Sequence, residues 1–355
     1  MDLRPYLDDL ENSLIHEVEE ALLSEWIDFV EGRFTGRLFC PQRRPSPPSI
    51  TWPLVTVNEA LADPDLMALQ QFGYCSTLLA ETSGTLPCVR ANYGSSILCS
   101  LFGVKPFIMA PELNCLPTTL PIEGGLDAIR GLIAAGVPDL HRSFGGQALQ
   151  MGRRLKDLMW DYPNIRKYVR IYHPDTQGPM DVAEVVWGSS LYLDIIDHAD
   201  TVHAFLNLIT DTYVAYMRAW TEIVPFQPNR NVHWSMMHRG AITLRDDSAM
   251  NFSPEMFEAF IEPYDQRLLD TFGGGMMHFC GRGDHYIPRF PEMRGCHAVA
   301  MSQPHLNDME KIYRHTVDRG IPLVGFNTQA AQAALDSGRD LHGQVHVHAM
   351  PQGAL

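Results

Sequence analysis

Gly275-Met276-Met277-His278-Phe279-Cys280-Gly281 sets an apolar, β-prone run against a glycine-rich loop, with a histidine and a cysteine two residues apart. Side chains alternate along a strand, so as a strand this segment turns His278 and Cys280 to one face and Met277 and Phe279 to the other. One short element then offers an imidazole nitrogen and a thiol sulfur to a single ion, the donor set zinc favours. The bland alternative is a buried histidine beside a small buried thiol.

The same pattern recurs outward from this stretch. Short β-prone runs stand near 241–245, 275–280, 297–301, 321–326 and 344–348, alternating with helical stretches such as Ser253 to Phe272 and Leu306 to Arg319. Their spacing is about what one strand-helix unit consumes. Earlier strands are expected at Val89 to Asn92, Lys105 to Met109 and Tyr168 to Tyr172, separated by helical material over Gly146 to Trp160 and Thr201 to Glu222. A single (β/α)8 TIM barrel over residues 51–355 is the economical topology, and an open doubly wound sheet is the alternative. Residues 1–50 read as an N-terminal extension: an amphipathic helix from Tyr6 to Glu31, then a proline-rich connector from Cys40 to Pro48 that could also serve as a lid.

In such a barrel the chemistry lies at the C-terminal ends of the strands. The five runs end in Arg245-Asp246-Asp247, His278-Phe279-Cys280, Ser302-Gln303, Asn327-Thr328-Gln329 and His346-Val347-His348. Alternation turns Gln344, His346 and His348 inward and Val345 and Val347 outward. His346 or His348 is the expected third ligand beside His278 and Cys280, with Asp247 also at the mouth. Cys296 precedes its strand and belongs at the opposite end.

Composition narrows the function classes. The chain carries 27 basic and 42 acidic residues, a net charge of −15, and no basic cluster that could track phosphates, which argues against nucleic acid. An apolar fraction of 45% supports a large core, no apolar run approaches a membrane span, and the start lacks the basic-then-apolar order of a secretory signal. Seven cysteines spread through 355 residues read as free thiols. A cytoplasmic enzyme with a small-molecule substrate is expected.

The segments Asp246-Asp247-Ser248, Ser253 to Tyr264 and His278-Phe279-Cys280-Gly281, with Asn92-Tyr93-Gly94, Gly136 to Leu140 and Tyr172 to Pro179 upstream, resemble the uroporphyrinogen decarboxylase superfamily over most of the chain. The resemblance implies one (β/α)8 barrel. Its His-x-Cys-Gly element is similar to that of the zinc-dependent corrinoid:thiol methyltransferases, implying zinc at His278, Cys280 and a further ligand, and a thiol acceptor activated as thiolate. Asn92, Tyr93 and Gln177 in these segments, with Gln303 and Asn327 at the strand ends, are the candidate substrate contacts. Arg245, Asp246 and Asp247 are the candidate catalytic residues, Arg245 to bind a carboxylate and an aspartate to polarise a ring nitrogen in a metal-free lyase.

This chain has no cysteine after Cys296, where those methyltransferases supply one more. It also lacks the Met-Arg-Gln-Ala-Gly-Arg string with which the decarboxylases grip propionates, and an Asp-x-His-x-x-Gly cobalamin motif. A corrinoid would therefore arrive on a separate protein. A metal-free carboxy-lyase acting on a tetrapyrrole or another carboxylated substrate is the alternative reading.

Overall fold

The computed structural model describes residues 1–349. The last six residues of the expected 51–355 unit lie outside them. The chain is a mixed α/β structure whose parallel strand segments are wrapped by helices. Among the described residues nine strands occur: β1 (Cys88–Val89), β2 (Pro106–Phe107), β3 (Thr118–Thr119), β4 (Arg170–Ile171), β5 (Arg230–His233), β6 (Met236–Arg239), β7 (Ile242–Arg245), β8 (Gly275–Phe279) and β9 (Cys296–Met301).

Strands β7, β8 and β9 pair in parallel, and the ladder continues through single bridges at Leu323, Val345 and Phe39. A second parallel pair joins β1 to β4. Among the described residues the two sets do not close into one hydrogen-bonded ring. Between β4 and β7 the reason is local: the Thr243 N–H donates to the His173 ring nitrogen at 2.9 Å instead of to a strand carbonyl.

The expected strand at Lys105 to Met109 is real but misplaced. Its residues Pro106 and Phe107 pair antiparallel with β3, apart from the parallel set, while Phe39 joins that set through Val345 and His346. The expected helix from Ser253 to Phe272 is two, Pro254–Phe260 and Glu262–Phe272, the break falling at Ile261 before Pro263.

Alternation sorts the core as expected. Met277, Phe279, Val299, Leu323, Val345 and Val347 pack outward beneath the helices, and Met276, Ala298, Ala300 and Val324 pack inward. The inner cluster is completed from an unexpected direction. Tyr6 to Glu31 forms two helices, Arg4–Ser13 and His16–Val30, because Leu14 and Ile15 adopt extended backbone. The second buries Leu22, Trp26, Phe29 and Val30 against Phe39, Met276 and Val324. The Trp26 indole N–H reaches the Gly84 carbonyl at 2.9 Å.

The N-terminal helix therefore shares the strands' interior core. The proline-rich stretch after it is tied to its surroundings. Arg43 is buried within it, ion-paired to Glu19 and bonded to the Thr85 carbonyl at 2.9 Å. Arg43 and Ser46 also donate backbone N–H groups to Thr82 and Leu79.

Candidate metal centre

The register aligns Arg245 with His278 and His278 with Ala300, placing the ends of β7, β8 and β9 side by side. After Arg245 the chain enters a tight turn, Asp247–Asn251. The Asp181 carboxylate fixes that turn, accepting the N–H groups of Asp247 at 3.0 Å and Ser248 at 2.8 Å. Asp247 is thereby aimed at β8, where its Oδ1 accepts the Cys280 N–H at 2.8 Å. Gly281, with φ of 76°, then turns the chain away, and its N–H meets Gln303 Oε1 at 2.5 Å. A left-handed residue at that position favours glycine.

Asp247, His278 and Cys280 form a three-ligand group whose donor atoms all lie within 4.8 Å of one another. His278 Nε2 is 3.5 Å from Cys280 Sγ and 3.6 Å from Asp247 Oδ1. Zinc bonds of about 2.0–2.3 Å at tetrahedral angles separate ligand atoms by roughly 3.3–3.8 Å, so the spacing fits one ion.

Protonation fits as well. Burial pulls the His278 pKa down to about 4, against the opposing pull of Asp247, so the ring is neutral with a lone pair to offer. The Ala300 carbonyl favours the protonated ring, yet no hydrogen bond of ordinary geometry reaches Nδ1. Burial pushes the Cys280 thiol above its usual value, and Asp247 pushes the same way, while Ser302 Oγ at 3.4 Å opposes. A carboxylate beside a thiol discourages thiolate formation until a cation sits between them.

Around this group the structure gathers Arg245, already a candidate from the sequence, and adds Trp234 and Asp175, to which sequence reasoning assigned no role. Arg245 donates to Asp247 Oδ2 at 3.2 Å and lies over the Trp234 ring at 5.6 Å. Trp234 meets the His278 ring edge-on at 5.0 Å. Behind them is Asp175, a buried carboxylate bonded to His233 and Trp234 at 3.2 Å each, ion-paired to Arg90, and 3.8 Å from Arg245. Burial pushes its pKa up, but Arg90, His233 and Arg245 together hold it well below the carboxylate range.

Trp234 is presented by the β5–β6 hairpin, whose pairing of His233 with Met236 leaves a two-residue turn. Both turn residues, Trp234 at φ 48° and Ser235 at φ 64°, are left-handed. Such turns favour Asn-Gly, so a Trp-Ser turn gave no hairpin signal. The turn is secured by Leu86 donating to the Ser235 carbonyl and by Cys88 Sγ accepting the Ser235 N–H at 3.2 Å.

The C-terminal histidines do not join the three-ligand group. His346 is fully buried, its ring 4.5 Å from that of Trp26, and its Nδ1 accepts the Gly325 N–H at 3.0 Å. His348 lies one pleat nearer the mouth and lines a 450 Å³ cavity with His278, Trp234, Met301, Phe326 and Asn327.

Of the other expected residues, Asn327 borders that cavity but uses Oδ1 to cap helix Thr328–Asp336. Gln303 braces Gly281. Gln177 borders a separate 230 Å³ hollow with Asp181 and Asp247. Asn92 and Tyr93 are buried elsewhere, against Gln70 and Phe144 respectively. Asp246 faces Asp265, and burial with that neighbour raises its pKa well above the carboxylate range, so the pair retains a proton.

No protein-family model matches the chain, and no curated protein does either. In fold it is similar to a methyltransferase from Methanosarcina mazei, with a TM-score of 0.58 and 18% identity over 83% of this chain and 82% of that one. At that identity the likeness is one of fold. Among the described residues no helix is long and apolar enough to cross a membrane.

Proposed function

We propose that this chain is a methyltransferase of the uroporphyrinogen decarboxylase superfamily, moving a methyl group from a corrinoid carried by a separate protein to a small thiol. The observation that carries the reading is the Asp247, His278, Cys280 group, compact enough for one zinc ion. The fold likeness to a methyltransferase supports it. Eight parallel segments, at Phe39, β1, β4, β7, β8, β9, Leu323 and Val345, match the strand count of a (β/α)8 barrel.

Zinc held by these residues would lower the pKa of an acceptor thiol, so that thiolate forms at neutral pH. The chain's own residues prepare for that. His278 is already neutral, and Asp247 is held by Arg245 and the Cys280 N–H. Trp234, Met301 and Phe326 supply the apolar wall of the adjacent cavity, alongside polar groups from Ser302, Asn327 and His348. His348 and Asn327 stand at its rim to orient the acceptor. In the transfer the thiolate sulfur bonds the methyl carbon, the donor keeps the electrons of the broken bond, and the thiol proton has already left.

A polycarboxylated tetrapyrrole suits the site poorly. It would need several free guanidinium groups, whereas Arg245, the cation at the trio, is committed to Asp247 and Asp175. The test is elemental analysis of protein purified without chelator, followed by absorbance assays with methylcobalamin and small thiols such as 2-mercaptoethanol. About one zinc per chain and thiol-dependent demethylation are expected. Equal activity in zinc-free protein, or an unaltered methylcobalamin spectrum with every thiol, overturns the proposal.

A further inference from the structure

A large cavity lies apart from the metal centre. It has a volume of about 770 Å³ and is bordered by Arg170 and Ile171 of β4, Val232 of β5 and Ala241 just before β7. Ala241 precedes the end of β7 opposite Arg245, so the cavity opens at the N-terminal ends of the strands. Its walls are largely apolar, with Met159, Trp160, Val224 and Phe226 among them.

Four cations border it, and three are engaged. Lys156 donates to the Ile223 carbonyl at 3.0 Å, Arg166 to the Trp160 carbonyl at 2.9 Å, and Arg230 pairs with Glu31. Arg170 is different. Among the described residues its guanidinium has neither a carboxylate within ion-pair distance nor a hydrogen-bond acceptor. Glu20, the acid bordering the cavity, is occupied by Lys167 and Tyr168. The neighbouring rings His173 and Tyr172 offer no anion. Burial lowers the Arg170 pKa, with only a distant opposing pull from Glu20. A guanidinium open to a cavity and left without a protein anion is free to bind one from outside, in a chain whose fifteen surplus negative charges could have supplied a partner.

We propose that this cavity is a second binding site, for a small organic anion with one charged head, such as a carboxylate or sulfonate, on an apolar or aromatic body. The head pairs with Arg170 in the fork geometry guanidinium offers, and the body lies against Met159, Val224 and Phe226. The volume is in the range of sites that enclose such molecules. The site stands apart from the metal centre and does not depend on the methyltransferase reading.

The probe is 8-anilino-1-naphthalenesulfonate, titrated calorimetrically against the full chain, with uncharged N-phenyl-1-naphthylamine as its neutral counterpart. One sulfonate probe per chain is expected, bound at least about tenfold more weakly by Arg170→Gln, with the neutral compound unaffected by the substitution and zinc content unchanged. In wild-type protein the probe should also protect Arg170 from phenylglyoxal, read by peptide mass spectrometry, a measurement that needs no variant. Equal affinity of Arg170→Gln for the sulfonate, or phenylglyoxal labelling of Arg170 that saturating probe does not slow, overturns the proposal.

Discussion

His278 and His346 point into the same interior from strands of one parallel ladder, and burial lowers the pKa of both. They do opposite work. His278 meets a thiol and a carboxylate, with a tryptophan edge behind them. His346 meets the rings of Trp26, Phe29, Phe39 and His348, and among the described residues its hydrogen-bond partner is the Gly325 N–H. The difference arises in the third dimension: a turn pinned by Asp181 delivers Asp247 to the first ring, while the helix His16–Val30 delivers indole and phenyl groups to the second. A buried histidine becomes a candidate ligand through what distant segments bring to it.

The sharpest break in this comparison comes from removing sulfur. Cys280→Ser should lose bound zinc almost completely, at least about a hundredfold in affinity, because thiolate is the softest donor of the three. Cys296→Ser, at the far end of β9, should keep one zinc per chain; elemental analysis reads both. Full zinc in Cys280→Ser would leave His278 no more a ligand than His346.

The aromatic end should instead register in stability. Trp26→Ala removes a fully buried indole and its bond to Gly84, and should cost about 3–5 kcal/mol in urea unfolding while zinc per folded chain is unchanged. A loss below about 1 kcal/mol would mean that the helix is a detachable extension, as the sequence suggested.

Much of this was legible beforehand. Period-two alternation gave the inward and outward faces of β8 and of the last strand, and the pairing of His278 with Cys280 follows from it. What failed depended on long-range approach. The third member of the group, Asp247, was placed at the mouth but ranked behind the histidines, since strand depth says nothing about where the Asp247–Asn251 turn is tied. Trp234 escaped because its turn lacks the usual residues, and Asp175 because a carboxylate that gathers Arg90, His233 and Arg245 shows no spacing in one dimension. Lys105 to Met109 had strand composition, yet Phe39, a lone bridge, joined the ladder in its place.

Acidity distinguishes the histidines more finely at the candidate metal centre. At pH 6 an ordinary histidine is mostly protonated, but His278 is already neutral and the Cys280 thiol still holds its proton. Zinc binding at pH 6 should therefore release one proton, from Cys280. Calorimetry in buffers of different ionisation enthalpy reads the number, and a value near two would show that His278 titrates as a free imidazole.

The smallest effect concerns His346 alone. Its folded pKa lies well below the unfolded value of about 6.5, so the unfolded chain takes up a proton as pH falls and the folded chain does not. The stability conferred by neutral burial is fully present above pH 6.5 and declines below it. Between pH 7.5 and 5.5 one such group contributes a loss of about 1.4 kcal/mol. His173, His233 and His238, also buried with lowered values, add to the wild-type decline. His346→Leu keeps those three and removes only its own share, so its urea stability should fall by about 1.4 kcal/mol less than that of wild type over the same interval. The variant will start lower at pH 7.5, because the Gly325 N–H loses its acceptor, and the comparison therefore rests on the slope. Parallel pH slopes for the two proteins would mean that His346 gains a proton without unfolding. That would require the aromatic interior around it to admit water or an anion, and the contrast with His278 would then be one of occupancy instead of environment.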